Sequence, residues 1–426
     1  MGLLLFLGFF LLLLFGAPIA VAIGVPTFLV IWGGELGTPV IAPNFFAGIA
    51  KFPLLAIPLF ILAGFILERC GISQRIIRFA NIIVGRRRGG LAIVAILVCV
   101  FFGGVSGSGP ADSAAIGAIL IPAMFAQGYS RGYSAALIAS AGSTAIIVPP
   151  SIALIIYGAI TNTSVPALFA AGAIPGFLAG MSLLVPAIWI ARKHGYGSDA
   201  EGADEISLWQ SFRQAFWGLL APIIILGGLY GGIFTPTEAA VVAVFYSLLL
   251  GFVIYRSLDF KKMYQILADA SESSAIVMLI VAFAGLFSWA GSTVGILDDM
   301  AKLVMGVSDN EWVVLFTINL LIFIGGMLID AVSIYYIFLP IFMPVLSHFG
   351  WNPVWFGVMM TLNLAIGQFT PPVAVNLYVT TQLAGIRLEE TFRAVWPMVL
   401  AMLVALVLVV IFPGLSLYIP RFFGLM

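Results

Sequence analysis

Two stretches of this chain carry the same helix-breaking residues in the same order. FFGG begins at Phe101 and FIGG at Phe323, and the same offset of 222 residues carries Pro122 onto Pro344, Gly128 onto Gly350, Pro149-Pro150 onto Pro371-Pro372 and Pro175 onto Pro397. Glycine and proline are the residues least suited to a helix interior, so a shared register of them points to a duplicated architecture. The chain around them is 62% hydrophobic and 8% charged over 426 residues, against about 25% charged for an ordinary soluble domain. In so apolar a chain, a duplicated pair of Gly/Pro-interrupted segments points to a transporter built from two halves, with its site at the interruptions.

Apolar runs of roughly the 20 residues needed to cross a bilayer follow one another, with candidate spans at 3–31, 44–68, 166–191, 214–232, 235–255, 272–290 and 394–418. The apolar runs make a lipid bilayer the surroundings, while a formal net charge of zero with no basic patch argues against nucleic acid as a partner. Cys70 and Cys99 offer neither a disulfide framework nor metal-ligand spacing. No basic residue precedes the first apolar run, so the start reads as a span rather than a cleaved leader. Position 6 is not Ser or Thr, and myristoylation is not supported.

Four pieces between the spans differ in kind. Residues 89–127 set two apolar arms around VSGSGPADS, and 310–347 repeat the design around LIDAVS. Each arm is too short to cross comfortably, which predicts re-entrant hairpins. Residues 131–161 and 352–384 are apolar with Pro-Pro inside, which predicts a helix, a gap and a second helix in each. The expected fold is an all-α polytopic membrane protein: a first repeat over 1–213, a linking span over 214–234 and an inverted second repeat over 235–426. Each repeat would hold two spans, a surface-lying arm (71–88 and 291–308), a hairpin, a broken helix and a closing span. Ala63-Gly64-Phe65 pairs with Ala284-Gly285-Leu286, and Pro18 with Pro236.

Charge agrees with that topology. Arg69, Arg75, Arg78, Arg86, Arg87, Arg88, Arg131, Arg192, Lys193, Arg256, Lys261, Lys262, Arg387 and Arg393 fall on one side, which the positive-inside tendency makes cytoplasmic. Lys51, Lys302, Arg421 and Arg213 lie elsewhere or are ambiguous. The first hairpin then enters from the cytoplasm and the second from outside. Residues 193–213 form the one clearly soluble stretch, too short for a domain.

Inside hydrocarbon, irregular backbone persists only where protein, water or ligand satisfies it. The first hairpin centre offers Ser106, Ser108, Asp112 and Ser113, and its neighbouring break Gly142, Ser143, Thr144, Pro149 and Pro150. The second offers Gly325, Gly326, Asp330 and Ser333, with Asn363, Gly367, Gln368, Thr370, Pro371, Pro372 and Asn376 around its break. Carbonyl, hydroxyl and carboxylate oxygens suit a hard monovalent cation such as sodium, and half-helix amino ends suit a carboxylate. Ser108 and Asp330 are equivalent at the 222 offset, consistent with two related cation sites. Plainer readings stand beside these: Ser and Gly as close-packing contacts, and Asp112 as a cap of the next helix. Asp330 is the acid that membrane depth makes costly, and Glu238 in FTPTEAA reads as a capping box. GVSG at Gly104–Gly107 matches the loose motif of an intramembrane serine protease, but His194 and His348 give Ser106 no evident base. A simple channel or a passive membrane anchor would also be this apolar, but the paired breaks favour alternating access over an open pore, and an anchor has no reason to keep polar centres at mid-depth. No phosphate-binding loop is present and no organic cofactor is implied, so neither catalysis nor ATP hydrolysis is expected.

The stretches GGVSGSGPADSAAIGAILIPAM, GSTAIIVPPSIALIIYG, GGIFTPTEAA, LIDAVSIYYIFLPIFMPV and GQFTPPVAVNLYVTTQLAG resemble the large membrane subunit of the tripartite ATP-independent periplasmic (TRAP) transporters, DctM/SiaM type. The resemblance implies an elevator-type secondary transporter of the bacterial inner membrane, driven by sodium. It implies a small four-span membrane subunit of the Q type and a periplasmic substrate-binding protein that delivers an organic acid: a C4-dicarboxylate, sialic acid or another sugar acid. It places sodium near Ser106, Ser108, Gly142, Asp330, Gly367 and Thr370. Under this reading the hairpins and broken helices move against a scaffold made of the remaining spans and arms.

Overall fold

The computed structural model describes residues 1–84, 87–197 and 207–426; Arg86 and the middle of the 193–213 stretch lie outside the described residues. The first half runs α1 (Gly2–Leu14), α2 (Ile19–Gly33), α3 (Ile41–Ile49), α4 (Ala56–Arg69), α5 (Ile72–Val84), α6 (Gly90–Ser106), α7 (Gly109–Ala126), α8 (Arg131–Ser143), α9 (Ile152–Thr161) and α10 (Val165–His194). The second runs α11 (Leu208–Tyr230), α12 (Pro236–Leu248), α13 (Phe260–Thr293), α14 (Ile296–Met305), α15 (Glu311–Leu328), α16 (Ala331–Phe349), α17 (Pro353–Gly367), α18 (Val375–Ala384), α19 (Phe392–Ile411) and α20 (Gly414–Phe422). The 222-residue offset carries α6 to α9 onto α15 to α18 with every end matching within two residues. The duplication read from breakers is therefore a duplication of elements.

Three differences from the sequence reading have local causes. Residues 3–31 are two helices, because Gly16 adopts φ 77° and Pro18 cannot continue the helix. α1 and α2 fold back on one another, with Gly8 against Pro26 and Gly33 against Met1. At about 1.5 Å per residue neither reaches across a hydrocarbon core of about 30 Å. The span at 214–232 is α11, which begins earlier, at Leu208, where Ser207 and Gln210 form a capping box, and packs on α5 and α12. The span at 44–68 is interrupted between α3 and α4, where Phe52–Leu55 form a 3-10 turn containing Pro53, whereas its equivalent α13 continues for 34 residues.

Packing sorts the helices into two groups. α2, α3 and α4 pack on α13, and α12 packs on α4 and α11. In the other group α7 packs on α8 and α18, α9 on α16 and α17, and α15 on α17. The closing spans α10 and α19 pack on each other and on α6, α8 and α17. They belong with the hairpins and broken helices, not with the scaffold the sequence assigned them to. α4 and α5 meet α6, while α13 and α14 meet α16.

Among the described residues, nine helices are long and apolar enough to cross a membrane, and three of them are hairpin arms that the sequence reading holds too short to cross, α7, α15 and α16, each of 18 or 19 residues. Leu14, Phe15, Val185 and Phe245 are among many large apolar side chains on the outer surface. A surface of that kind is stable against hydrocarbon rather than water. The protein is a multi-pass helical membrane protein.

Candidate functional site

The first centre forms because Gly107 ends α6 in the left-handed region at φ 63°, its N–H donating to the Gly103 carbonyl at 3.0 Å. Ser108 is extended, and Pro110 suits the first turn of α7. Across this tip the Ser106 hydroxyl donates to Asp112 Oδ1, and the Ser108 N–H donates to Ser106 Oγ at 3.3 Å. Asp112 is fully buried and its Oδ2 has no partner. It reaches back across the tip instead of capping α7. At the second tip Ile329 is extended and Asp330 caps α16, accepting from the Val332 and Ser333 N–H groups at 2.8 and 3.3 Å and from Ser333 Oγ at 2.5 Å. The acid singled out by depth is thus also a structural cap.

Each tip lies against a broken helix, and glycines make the approach possible. A Cβ at Gly107 would sit 2.9 Å from the Pro150 carbonyl oxygen, and one at Gly104 3.1 Å from that of Pro149. In the other half a Cβ at Gly367 would sit 2.6 Å from the Gly326 carbonyl carbon, and Ala374 N–H donates to the Met327 carbonyl at 3.3 Å. Gly325 instead faces Ile334 across its own hairpin, at 2.6 Å from a built Cβ. Both Pro-Pro peptide bonds are cis. The halves also cross: a Cβ at Gly109 would meet Gln368 Oε1 at 2.5 Å and Asn376 Nδ2 at 2.9 Å, so the first tip touches the second break.

The two tips meet at one cavity of about 400 Å³. Ser106, Ser108, Asp112, Asp330 and Gln368 line it, and Glu68 of α4 and Ser273 of α13 face it from the other helix group. The remaining candidates stand behind that lining. Ser113, Ser143, Thr144, Ser333, Thr370 and Asn376 are buried, and a Cβ at Gly142 would press on Ser113 Oγ. Ser143, Thr144 and Thr370 donate to carbonyls of their own helices, which leaves their oxygen lone pairs free to accept or ligate. Asn363 bonds Asn319 of α15 at 2.9 Å and braces the hairpin. Pro149 and Pro150 are buried, whereas Pro371 is half-buried and Pro372 exposed, and none of the four is in the cavity's lining.

The chemistry of the cavity follows from its oxygens. Of its lining, Asp112 Oδ2 and Gln368 Oε1 are buried without a hydrogen-bond partner, as are Ser113 Oγ, Asn363 Oδ1 and Asn376 Oδ1 behind it, and orphaned acceptors of this kind are costly without a ligand. Glu68, Asp112 and Asp330 line the space, and no Lys, Arg or His does among the described residues. Such a site suits a hard cation, while the amino ends of α7 and α16 at the tips suit an anion once charge is balanced. Ser106 has a carboxylate for a partner, not a base of the kind proteolysis uses. Glu68 and Ser273 escaped the sequence reading. Glu68 adjoins Arg69 and reads as a helix end at the interface, and Ser273 sits in the polar run SESS at the start of the apolar span.

Glu238 does what its motif predicts: Thr235 N–H donates to it at 2.8 Å and its own N–H donates to Thr235 Oγ1 at 3.3 Å.

Comparison with known proteins agrees with this architecture. The solved Alcanivorax borkumensis YdaH transporter superposes with a TM-score of 0.61 at 14% identity, covering 88% of this chain and 87% of that one, a likeness of fold. The isethionate TRAP transporter permease DctMQ of Oleidesulfovibrio alaskensis is 36% identical over 417 residues, covering 98% of this chain, which spans 65% of that longer relative. The C4-dicarboxylate TRAP large permease DctM of Pseudomonas aeruginosa is 39% identical over 377 residues, 88% of this chain and 87% of its own. The sialic acid TRAP large permease SiaM of Vibrio cholerae is 38% identical over 382 residues, 90% and 89%. The model of the DctM component of tripartite ATP-independent periplasmic transporters matches residues 6–415, and this chain therefore belongs to that family of transporter permeases.

Proposed function

We propose that this chain is the large permease subunit of a sodium-coupled importer of an organic acid in the bacterial inner membrane. One observation carries the reading: a single cavity bounded by both helix-break tips, with acidic and orphaned oxygens and no cationic side chain among its described lining. Sodium ions bind at the tips, near Ser106, Ser108, Gly142, Asp330, Gly367 and Thr370, and the carboxylate binds after them against the amino ends of α7 and α16. The relatives named for isethionate, C4-dicarboxylate and sialic acid are all named for organic anions, which supports the substrate class. The relative whose name joins M and Q supports a small four-span Q-type component as a partner of this one. A periplasmic binding protein delivers the acid.

In this reading α6–α7 and α15–α16 are re-entrant hairpins of opposite orientation, and the group that contains them moves as an elevator against α2–α4 and α11–α13. Glu68 adjoins Arg69 in the cation-rich end, so the cavity faces the cytoplasm. A monoanion carried with two sodium ions moves one net charge, gaining about 2.3 kcal/mol per 100 mV; a dianion needs a third ion for the same gain. Uptake of labelled acid into liposomes holding this chain with its partners tests the proposal. The expected result is uptake that requires inward sodium and quickens with an inside-negative potential; uptake indifferent to both would sink the coupling.

A further inference from the structure

A second crevice, outside the cavity, gathers cations instead of acids. Arg69 at the end of α4, Arg75 and Arg78 on α5 and Lys262 in the first turn of α13 line a space of about 640 Å³, closed by Gln214 of α11 and by Tyr255. No acidic side chain lines it among the described residues. Neutral groups hold two of the cations in place. Arg75 Nη1 donates to the Cys70 and Gly71 carbonyls at 2.9 and 2.8 Å, and its guanidinium lies 4.0 Å above the Tyr255 ring. Lys262 Nζ donates to the Ser257 carbonyl at 2.9 Å. Asp269 pairs with Arg69 at 3.0 Å from outside the lining, and Asp259 is engaged with the Lys262 backbone N–H at 2.7 Å. Arg75 and Lys262 are therefore held in position by neutral groups, while Arg69 is ion-paired.

We propose that this crevice binds a phosphate ester, the headgroup of an anionic phospholipid at the cytoplasmic face. A tetrahedral oxyanion can accept from a guanidinium fork and an ammonium together, which a single planar carboxylate does less well. The same helix ends carry largely exposed Trp209, Phe260 and Tyr264, aromatic residues that sit at headgroup depth. Basic residues at the cytoplasmic surface are drawn to anionic lipid. The proposal does not depend on what the central cavity carries.

The test is native mass spectrometry of the full chain titrated with phosphatidylglycerol or phosphatidylcholine, beside thermal melts in inorganic phosphate. Wild type is expected to retain phosphatidylglycerol selectively, and Lys262→Gln and Arg75→Gln are each expected to weaken that retention about tenfold, the loss of one charge-assisted hydrogen bond. Lys262 is exposed, so its variant stays interpretable if Arg75→Gln disturbs the packing on Tyr255. Thermal protection by inorganic phosphate that the Lys262 variant loses, without lipid selectivity, assigns the same chemistry to a soluble phosphate. No lipid selectivity and no phosphate protection in the wild type would overturn the proposal, as would full retention in both variants.

Discussion

Asp330 accepts two backbone N–H groups and the Ser333 hydroxyl, so an alanine there removes a helix cap together with a charge. Asparagine separates the two roles, because it caps about as well as aspartate and carries no charge. Asp330→Asn is expected to melt close to wild type in detergent while losing sodium-dependent uptake; wild-type uptake would mark the acid as a cap alone. At Gly367 the expected effect is steric. The new methyl of Gly367→Ala meets the Gly326 backbone at 2.6 Å, and overpacking of this kind costs about 1–3 kcal/mol, readable as a lowered melting temperature. Ser106, Ser108, Asp112, Asp330 and Gln368 were legible in the sequence because small polar residues amid apolar helices stand out. Glu68 was not, since a carboxylate beside an arginine at a helix end looks like an interfacial residue. Nothing in the sequence showed that Asp112 would bond Ser106 and leave one oxygen orphaned, because that depends on the tip geometry.

Helix breaks were the most readable elements, and their neighbours the least. Gly and Pro impose a local geometry whatever surrounds them, so α6 to α9 and α15 to α18 were foreseen in order. The Gly16–Pro18 turn carries the same signal, yet the unbroken apolar run around it hid two short helices inside one apparent span. At α12 the capping box fixes a helix start, and Glu238→Gln, which can still accept from Thr235 N–H, is expected to leave uptake intact. Thr235→Ala removes the capping oxygen and is expected to cost about 1 kcal/mol, seen as a lower melting temperature. The interruption between α3 and α4 leaves Lys51 free to donate to the Ala159 carbonyl of α9 at 2.8 Å. That bond ties one helix group to the other. If the groups slide, it breaks in each cycle, and Lys51→Met is expected to change the uptake rate with little change in melting temperature. Unaltered kinetics would place α9 with the static group.

For the whole molecule, composition alone announced the bilayer, because no soluble fold leaves so many large apolar side chains outside. Assignment of α10 and α19 to a helix group was out of reach of the sequence: all-apolar helices carry no moment that says which neighbour they prefer. The two Pro-Pro breaks are equivalent in the chain but not in their surroundings, the first enclosed by protein and the second, with Val373 45% exposed, at the surface. If the copies take turns, single cysteines at the equivalent positions 151 and 373 should trade reactivity between sodium-free and substrate-loaded protein, and the buried native Cys70 and Cys99 keep the background low. A gene doubled once would then have left each half as a template for the posture its twin takes next.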